Sequence, residues 1–102
     1  MVEWTSKGEG HGFDWDAANT KKCQKHGVSI AEVEFLFLGD PTVYPDLKHS
    51  ETEDRQIATG KNNEGRHVAV VFTHRVRDGT MLIRPISARY MHRKEIKRFE
   101  KL

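Results

Sequence analysis

Seven side chains in this 102-residue chain have the chemistry to move protons and hold phosphate: Lys25, His26, Glu53, Arg55, His74, Arg75 and Arg89. RNA can be cleaved without a metal when its own 2′-hydroxyl attacks the neighbouring phosphorus. A protein that promotes this reaction supplies a base near that hydroxyl, an acid near the leaving 5′-oxygen, and cations for the extra charge on phosphorus. A histidine titrates near neutrality and can serve as either acid or base, which makes His26 a proton-transfer candidate. Glu53 is a candidate base. Arginines suit the non-bridging oxygens, because their forked donors match phosphate geometry.

Each candidate also has a plain structural reading. His26 can end a helix and interact with its last carbonyls and dipole. Lys25 can be solvated. Glu53 and Arg55 alternate along one strand edge and can pair with each other. Arg75, Arg84 and Arg89 stand among apolar residues in strand-like segments, where an arginine more often has an assigned anionic partner.

Charge separates along the chain. Residues 1–73 carry 8 Lys and Arg against 12 Asp and Glu, whereas residues 74–102 carry 9 against 3. The basic end includes Arg75, Arg77, Arg84, Arg89, Arg93, Lys94, Lys97, Arg98 and Lys101, and a phosphate backbone is the obvious partner for it. A solvated helix face accounts equally well for Lys94, Lys97, Arg98 and Lys101.

The length suits one domain with a single modest core. Residues 1–12 read as a flexible lead and 13–102 as that domain. Asp16 can cap a helix over 17–26, with Gly27 just past its end. Ser29 and Glu32 have capping-box spacing, so a second helix begins almost at once and stops at Gly39. Val43-Tyr44 reads as a short strand, with Pro45 marking an edge. Further strands are expected over Arg55–Gly60 and His67–Val76. The second is so continuously apolar that it should be central and covered on both faces. Asp78-Gly79 is a hairpin signal leading into Thr80–Ala88. A closing helix, about His92–Lys101, would turn Ile96 and Phe99 inward. The expected fold is α+β: two N-terminal helices, an antiparallel meander of about 3–5 strands, and a C-terminal helix.

The hairpin register decides which arginines share a face. With a two-residue Asp78-Gly79 turn, Thr73 opposes Arg84, Val70 opposes Ser87 and Val68 opposes Arg89. That puts Arg89 and His74 on one face, with Arg75 and Arg84 on the other. A single bulge at Pro85 would exchange the faces for part of the strand. Both registers remain open at this level.

Four stretches occur in order: Phe-Asp-Trp-Asp at 13–16, Lys-Lys-Cys-Gln-Lys-His-Gly-Val-Ser at 21–29, His-Ser-Glu-Thr-Glu-Asp-Arg at 49–55, and Ile-Ser-Ala-Arg at 86–89. Together they resemble the BrnT family, small toxins of bacterial toxin–antitoxin pairs that cleave RNA and have a RelE-like fold. The resemblance runs from about Phe13 to Phe99. The chain departs from the family pattern at Lys22-Cys23, where Asn with Leu or Ile is common, and at Pro85, which replaces an aliphatic residue and removes a ladder donor. The resemblance implies a metal-independent endoribonuclease that inhibits translation and growth. It also implies a cognate antitoxin, BrnA-like and of the ribbon–helix–helix kind, in a heterotetramer that reaches operator DNA only through the antitoxin.

Taken with the residues, this leads us to expect Lys25, His26, Glu53, Arg75 and Arg89 as catalytic, and Arg55, His74, Arg84 and Arg93 as substrate-binding. No cofactor is expected. The six histidines and one cysteine lack zinc-ligand spacing, so no metal is expected either. A lone cysteine, no signal-peptide pattern and no apolar run near the ~20 residues of a membrane span fit a soluble cytoplasmic protein. A non-catalytic basic module that binds nucleic acid, or a regulatory subunit, is the alternative.

Overall fold

Two reciprocal caps start the N-terminal helices in the computed structural model, which describes residues 12–48 and 54–100, the last two through their backbone alone. Helix α1 covers Ala17–Gln24 and α2 covers Ile30–Leu38. At α1, Asp16 Oδ1 accepts from the Asn19 N–H at 3.0 Å, while Asn19 Oδ1 accepts from the Asp16 N–H at 2.7 Å. Ser29 and Glu32 exchange the same pair of bonds at α2, at 3.1 and 3.0 Å. Each box satisfies orphan donors of a first helical turn. Helix α1 ends at Gln24, short of the expected 26. Residues 25–27 form a turn closed by Gly27 at φ 90°, a backbone conformation that favours glycine. His26 therefore lies beyond the helix rather than in its last turn.

Strands β1 (Thr42–Pro45), β2 (Gln56–Lys61), β3 (His67–Arg77) and β4 (Thr80–Tyr90) form one antiparallel sheet in that order, and α3 covers Arg93–Glu100. This is the expected α+β arrangement, with β1 at an edge. Asp78 and Gly79 both have positive φ, 51° and 78°, as a two-residue hairpin turn matched to strand twist requires. Residues 12–14 cover part of the β4 edge: the Ile83 N–H donates to Gly12 O at 2.7 Å, and the Asp14 N–H donates to Ile83 O at 2.8 Å. Pairing of this kind blunts an otherwise open strand.

The helices cover one face of the sheet. There Phe13, Cys23, Val28, Val33, Leu36 and Phe37 bury Ala58, Val68, Val70, Phe72, Ile83 and Ala88. Phe37 stands edge-on to Phe72 and Phe13, with ring centroids 4.9 and 5.9 Å apart. Burial pushes the Cys23 thiol up to about 11, so it behaves as a small apolar side chain. On the opposite face Ala69 and Thr73 are buried, Val71 is half-buried and Arg75 is exposed. The expectation that β3 is covered on both faces therefore holds for only part of its length. Ile96 is half-buried and lies outside the core cluster, so α3 is held differently from α1 and α2. Among the described residues, no helix is long and apolar enough to cross a membrane.

The register of β3 with β4 shifts between Val71 and Phe72: Val71 opposes Ser87, whereas Phe72 opposes Pro85. Ile86 is the extra residue. Proline has no N–H to give a ladder, so a bulge beside Pro85 costs little. The Pro85 carbonyl is nevertheless engaged, accepting from Asn19 Nδ2 at 2.8 Å. Asn19 is only 4% exposed and also donates to Asp14 O at 2.9 Å, so one buried amide ties the start of α1 to the bulge.

Candidate active site

The bulge settles which residues share a surface. Thr73 opposes Arg84, and Ala69, rather than Val68, opposes Arg89. Directly opposed residues point to one face, so Arg75, Arg84 and Arg89 all lie on the face turned away from the core. His74 lies on the other face, its ring edge-on to Phe72 at 5.6 Å.

On the arginine face a groove of about 140 Å³ runs between β1 and α3. Its floor is Ile57, Ala69, Val71 and Ser87, and Tyr44, Arg89, Met91, Glu95 and His26 form its walls. A cavity of about 150 Å³ holds one benzene molecule, so the groove suits a single phosphate- or ring-sized group. His26 reaches this groove because Gly27 ends the turn after α1. The two candidates that periodicity had placed on different elements are brought together here. Burial raises the Tyr44 hydroxyl pKa, so that side chain stays neutral at ordinary pH.

Arg89 does not face the groove alone. Its Nη1 and Nη2 donate to Oε1 and Oε2 of Glu95 at 2.7 and 2.6 Å, a bidentate fork. Glu95 Oε1 also accepts the His92 N–H at 2.9 Å, which serves the start of α3. The fork from Arg89, with help from the His92 N–H, outweighs burial and holds the Glu95 carboxyl at about 2. The same bond raises the pKa of Arg89.

Arg84 is likewise paired, with Asp14 at 3.3 Å and Asp16 at 2.9 Å, and Arg77 reaches Asp14 at 3.2 Å. The Asn19 N–H, ahead of Arg84, holds the Asp16 carboxyl below the ordinary carboxylate range. The anionic partners expected of strand arginines are thus partly internal. Arg55 and Arg84, with Lys22 from α1, line a second recess of about 210 Å³ beside Ile86. Lys25 lies elsewhere, beside Lys21 and Lys22 along the exposed side of α1. Arg93 is exposed at the start of α3, and Arg75 is exposed on the groove's face of the sheet. Glu53 lies outside the described residues. Among the described residues, no three His, Cys, Asp or Glu side chains gather as metal ligands.

A network on the helix-covered side of the sheet has no signal in the sequence. Glu32 accepts from Asn62 Nδ2 at 2.8 Å and from the Tyr90 hydroxyl at 2.8 and 3.0 Å. The Arg66 guanidinium lies over the Tyr90 ring, 3.5 Å from its centroid. Asn62, 5% exposed, also accepts the N–H groups of Glu64 and Arg66 and so organises the β2–β3 turn. Glu32 was legible only as a cap. Its reach to Asn62 and Tyr90 has no signal in local spacing. Glu95 did have one: it stands three residues after His92, the spacing of a helix-start carboxylate.

No curated protein matches the chain. A family model described as the ribonuclease toxin, BrnT, of type II toxin–antitoxin systems matches residues 15–95, which include α1, the whole sheet, His26, Arg89 and Glu95. Such a system pairs its toxin with a cognate antitoxin. The chain belongs to the BrnT family of ribonuclease toxins of type II toxin–antitoxin systems.

Proposed function

We propose that this chain cleaves RNA on the open face of its sheet by attack of a 2′-hydroxyl on the adjacent phosphorus, with no metal taking part. The observation that carries this reading is the meeting of His26 and Arg89 in one groove, on the face that also bears Arg75 and Arg84. The 2′-oxygen forms a bond to phosphorus as the bond to the 5′-oxygen breaks. The base, Glu53 or His26, takes the proton from the 2′-hydroxyl, and an acid returns one to the 5′-oxygen. His26 fits the acid role because it is exposed at a groove wall. Arg89 and Arg75 stabilise the charge on the non-bridging oxygens. Lys25 adds positive potential near the α1 turn. Arg55, Arg84 and Arg93 hold flanking parts of the strand; His74, on the opposite face beside Phe72, is left out of the site.

In the cell this activity would act in the cytoplasm, halting translation and growth until a BrnA-like ribbon–helix–helix antitoxin masks the face in a heterotetramer. Operator DNA would be reached through that antitoxin alone. The test is incubation of the purified protein with end-labelled RNA in EDTA. Products ending in a 2′,3′-cyclic phosphate are expected, as is growth arrest on expression without the antitoxin. Soluble, folded protein that neither cleaves RNA nor slows growth would defeat the proposal.

One observation favours a second reading. Arg77, Arg84 and Arg89 are already paired with Asp14, Asp16 and Glu95, as in a surface built for stability or regulation. Binding without cleavage in the same assay would select this non-catalytic module.

A further inference from the structure

Glu95 has no part in the reaction just proposed, yet it occupies the end of Arg89 that would meet a phosphate. Both Nη atoms of Arg89 are taken by both Glu95 oxygens, in the fork a guanidinium uses for two non-bridging phosphate oxygens. Glu95 also lines the groove itself. Its position is fixed by the start of α3, since Oε1 simultaneously accepts the His92 N–H.

The helix behind Glu95 is lightly held. Arg93, Lys94, Lys97 and Arg98 are exposed, and Ile96 is half-buried outside the core. The pair is open to solvent as well, with side chains 46% and 29% exposed. Its partners can therefore be exchanged without opening the core. A phosphate drawn to Arg89 while Glu95 stays in place would meet a like charge at contact distance.

We propose that Glu95 is an internal phosphate mimic and that α3 is a strap. In the free protein, α3 keeps Arg89 neutralised and Glu95 seated at the groove wall. RNA then engages by exchanging a backbone phosphate for Glu95, and α3 moves aside. The proposal rests on the reading of this groove as the RNA seat. It also gives the four cations of α3 a role, since displacement of the strap leaves them free to follow the RNA backbone.

The alternative has the opposite sign: Glu95 could hold Arg89 so that its remaining N–H groups bind phosphate. The two are separated by measuring fluorescence anisotropy of an uncleavable 2′-O-methyl oligoribonucleotide with the native protein, Glu95→Gln, Arg89→Ala and the double variant. Glutamine keeps an acceptor for the His92 N–H but loses the ionic fork. Releasing an exposed pair worth about 1 kcal/mol should tighten binding about 5-fold in the native background and not at all in the Arg89→Ala background. Cleavage of unmodified RNA below saturation should rise by a similar factor.

Weaker binding or slower cleavage by a folded Glu95→Gln protein would overturn the strap and make Glu95 a positioning residue for Arg89. An equal gain in both backgrounds would also overturn it, since the effect would then be one of net charge. If the native protein itself neither binds nor cleaves RNA, the ribonuclease reading fails and the strap falls with it. Should Glu95→Gln fail to fold, Glu95→Asp, which keeps the charge and the cap acceptor but shortens the fork, should tighten binding by a smaller factor that again vanishes in the Arg89→Ala background, and no gain would overturn the strap.

Discussion

Replacing Glu32 by Ala should destabilise the protein by about 3 kcal/mol. Glu32 accepts from the Ser29 N–H at 3.0 Å, Asn62 Nδ2 at 2.8 Å and the Tyr90 hydroxyl at 2.8 Å. Ser29 and Tyr90 are half-buried, so water replaces the carboxylate there at modest cost. Asn62 is 5% exposed, and a buried donor left without a partner costs about 1–3 kcal/mol. Loss of half the capping box adds about 0.5–1 kcal/mol, and loss of the Tyr90 hydrogen bond supplies the rest. At about 4–8 °C per kcal/mol for a domain near this size, Tm should fall by roughly 12–24 °C.

The same residue should leave a signature in pH. Burial would raise the Glu32 carboxyl, but the Ser29 N–H, the Asn62 amide and the Tyr90 hydroxyl outweigh it and hold it at about 2, from 4.5. A carboxyl depressed by folding contributes stability that is fully present above its unfolded value and is lost as pH falls through its folded one. The window therefore runs from about 4.5 down to about 2. Unscreened, the shift would correspond to about 3 kcal/mol, and solvent at this partly exposed site reduces it to about 2 kcal/mol. Urea unfolding followed by circular dichroism, at neutral pH and at about pH 3, gives both quantities for native, Glu32→Ala and Glu32→Gln proteins. The native protein should lose more stability on acidification than Glu32→Gln. Equal pH slopes, or a Glu32→Ala protein within about 0.5 kcal/mol of native, would refute the reasoning.

Arg89→Ala should lower RNA cleavage by about 10²–10³-fold, as for a lost oxyanion donor, while its exposed pairing with Glu95 limits the stability loss to about 1 kcal/mol. Arg75→Ala should lose a similar factor, and Lys at either position should rescue only in part, because it lacks the fork. Full activity in either Ala variant removes that residue from the site. His26→Ala should cost about 10²-fold or more in rate with about 0.3–1 kcal/mol in stability, both measured on one preparation. Preserved activity with lost stability would make His26 a helix-end anchor. Asn19→Ala should cost about 1–3 kcal/mol in urea unfolding, since it leaves the buried Pro85 carbonyl and the Asp16 N–H without their partner. An unchanged midpoint would show that the bulge does not depend on α1.

What the chain determined by itself was local. Asp16 and Ser29 cap their helices because a short polar side chain and a residue three positions on can satisfy orphan N–H groups within one turn. Asp78-Gly79 makes its hairpin because those residues accept positive φ, and the apolar run from Val68 to Phe72 announces the strand beside it. Tertiary structure decided everything that depends on meeting across the chain. The Pro85 bulge alone chose the face on which Arg89 lies, because a shift of one residue turns a strand's side chains over. Arg84 met Asp14 and Asp16 across about 70 residues, and Glu32 met Asn62 and Tyr90 across 30 and 58. Charge and residue type marked these groups as needing partners. Only the folded sheet, by closing distances that no period of 2 or 3.6 encodes, determined which partners they took.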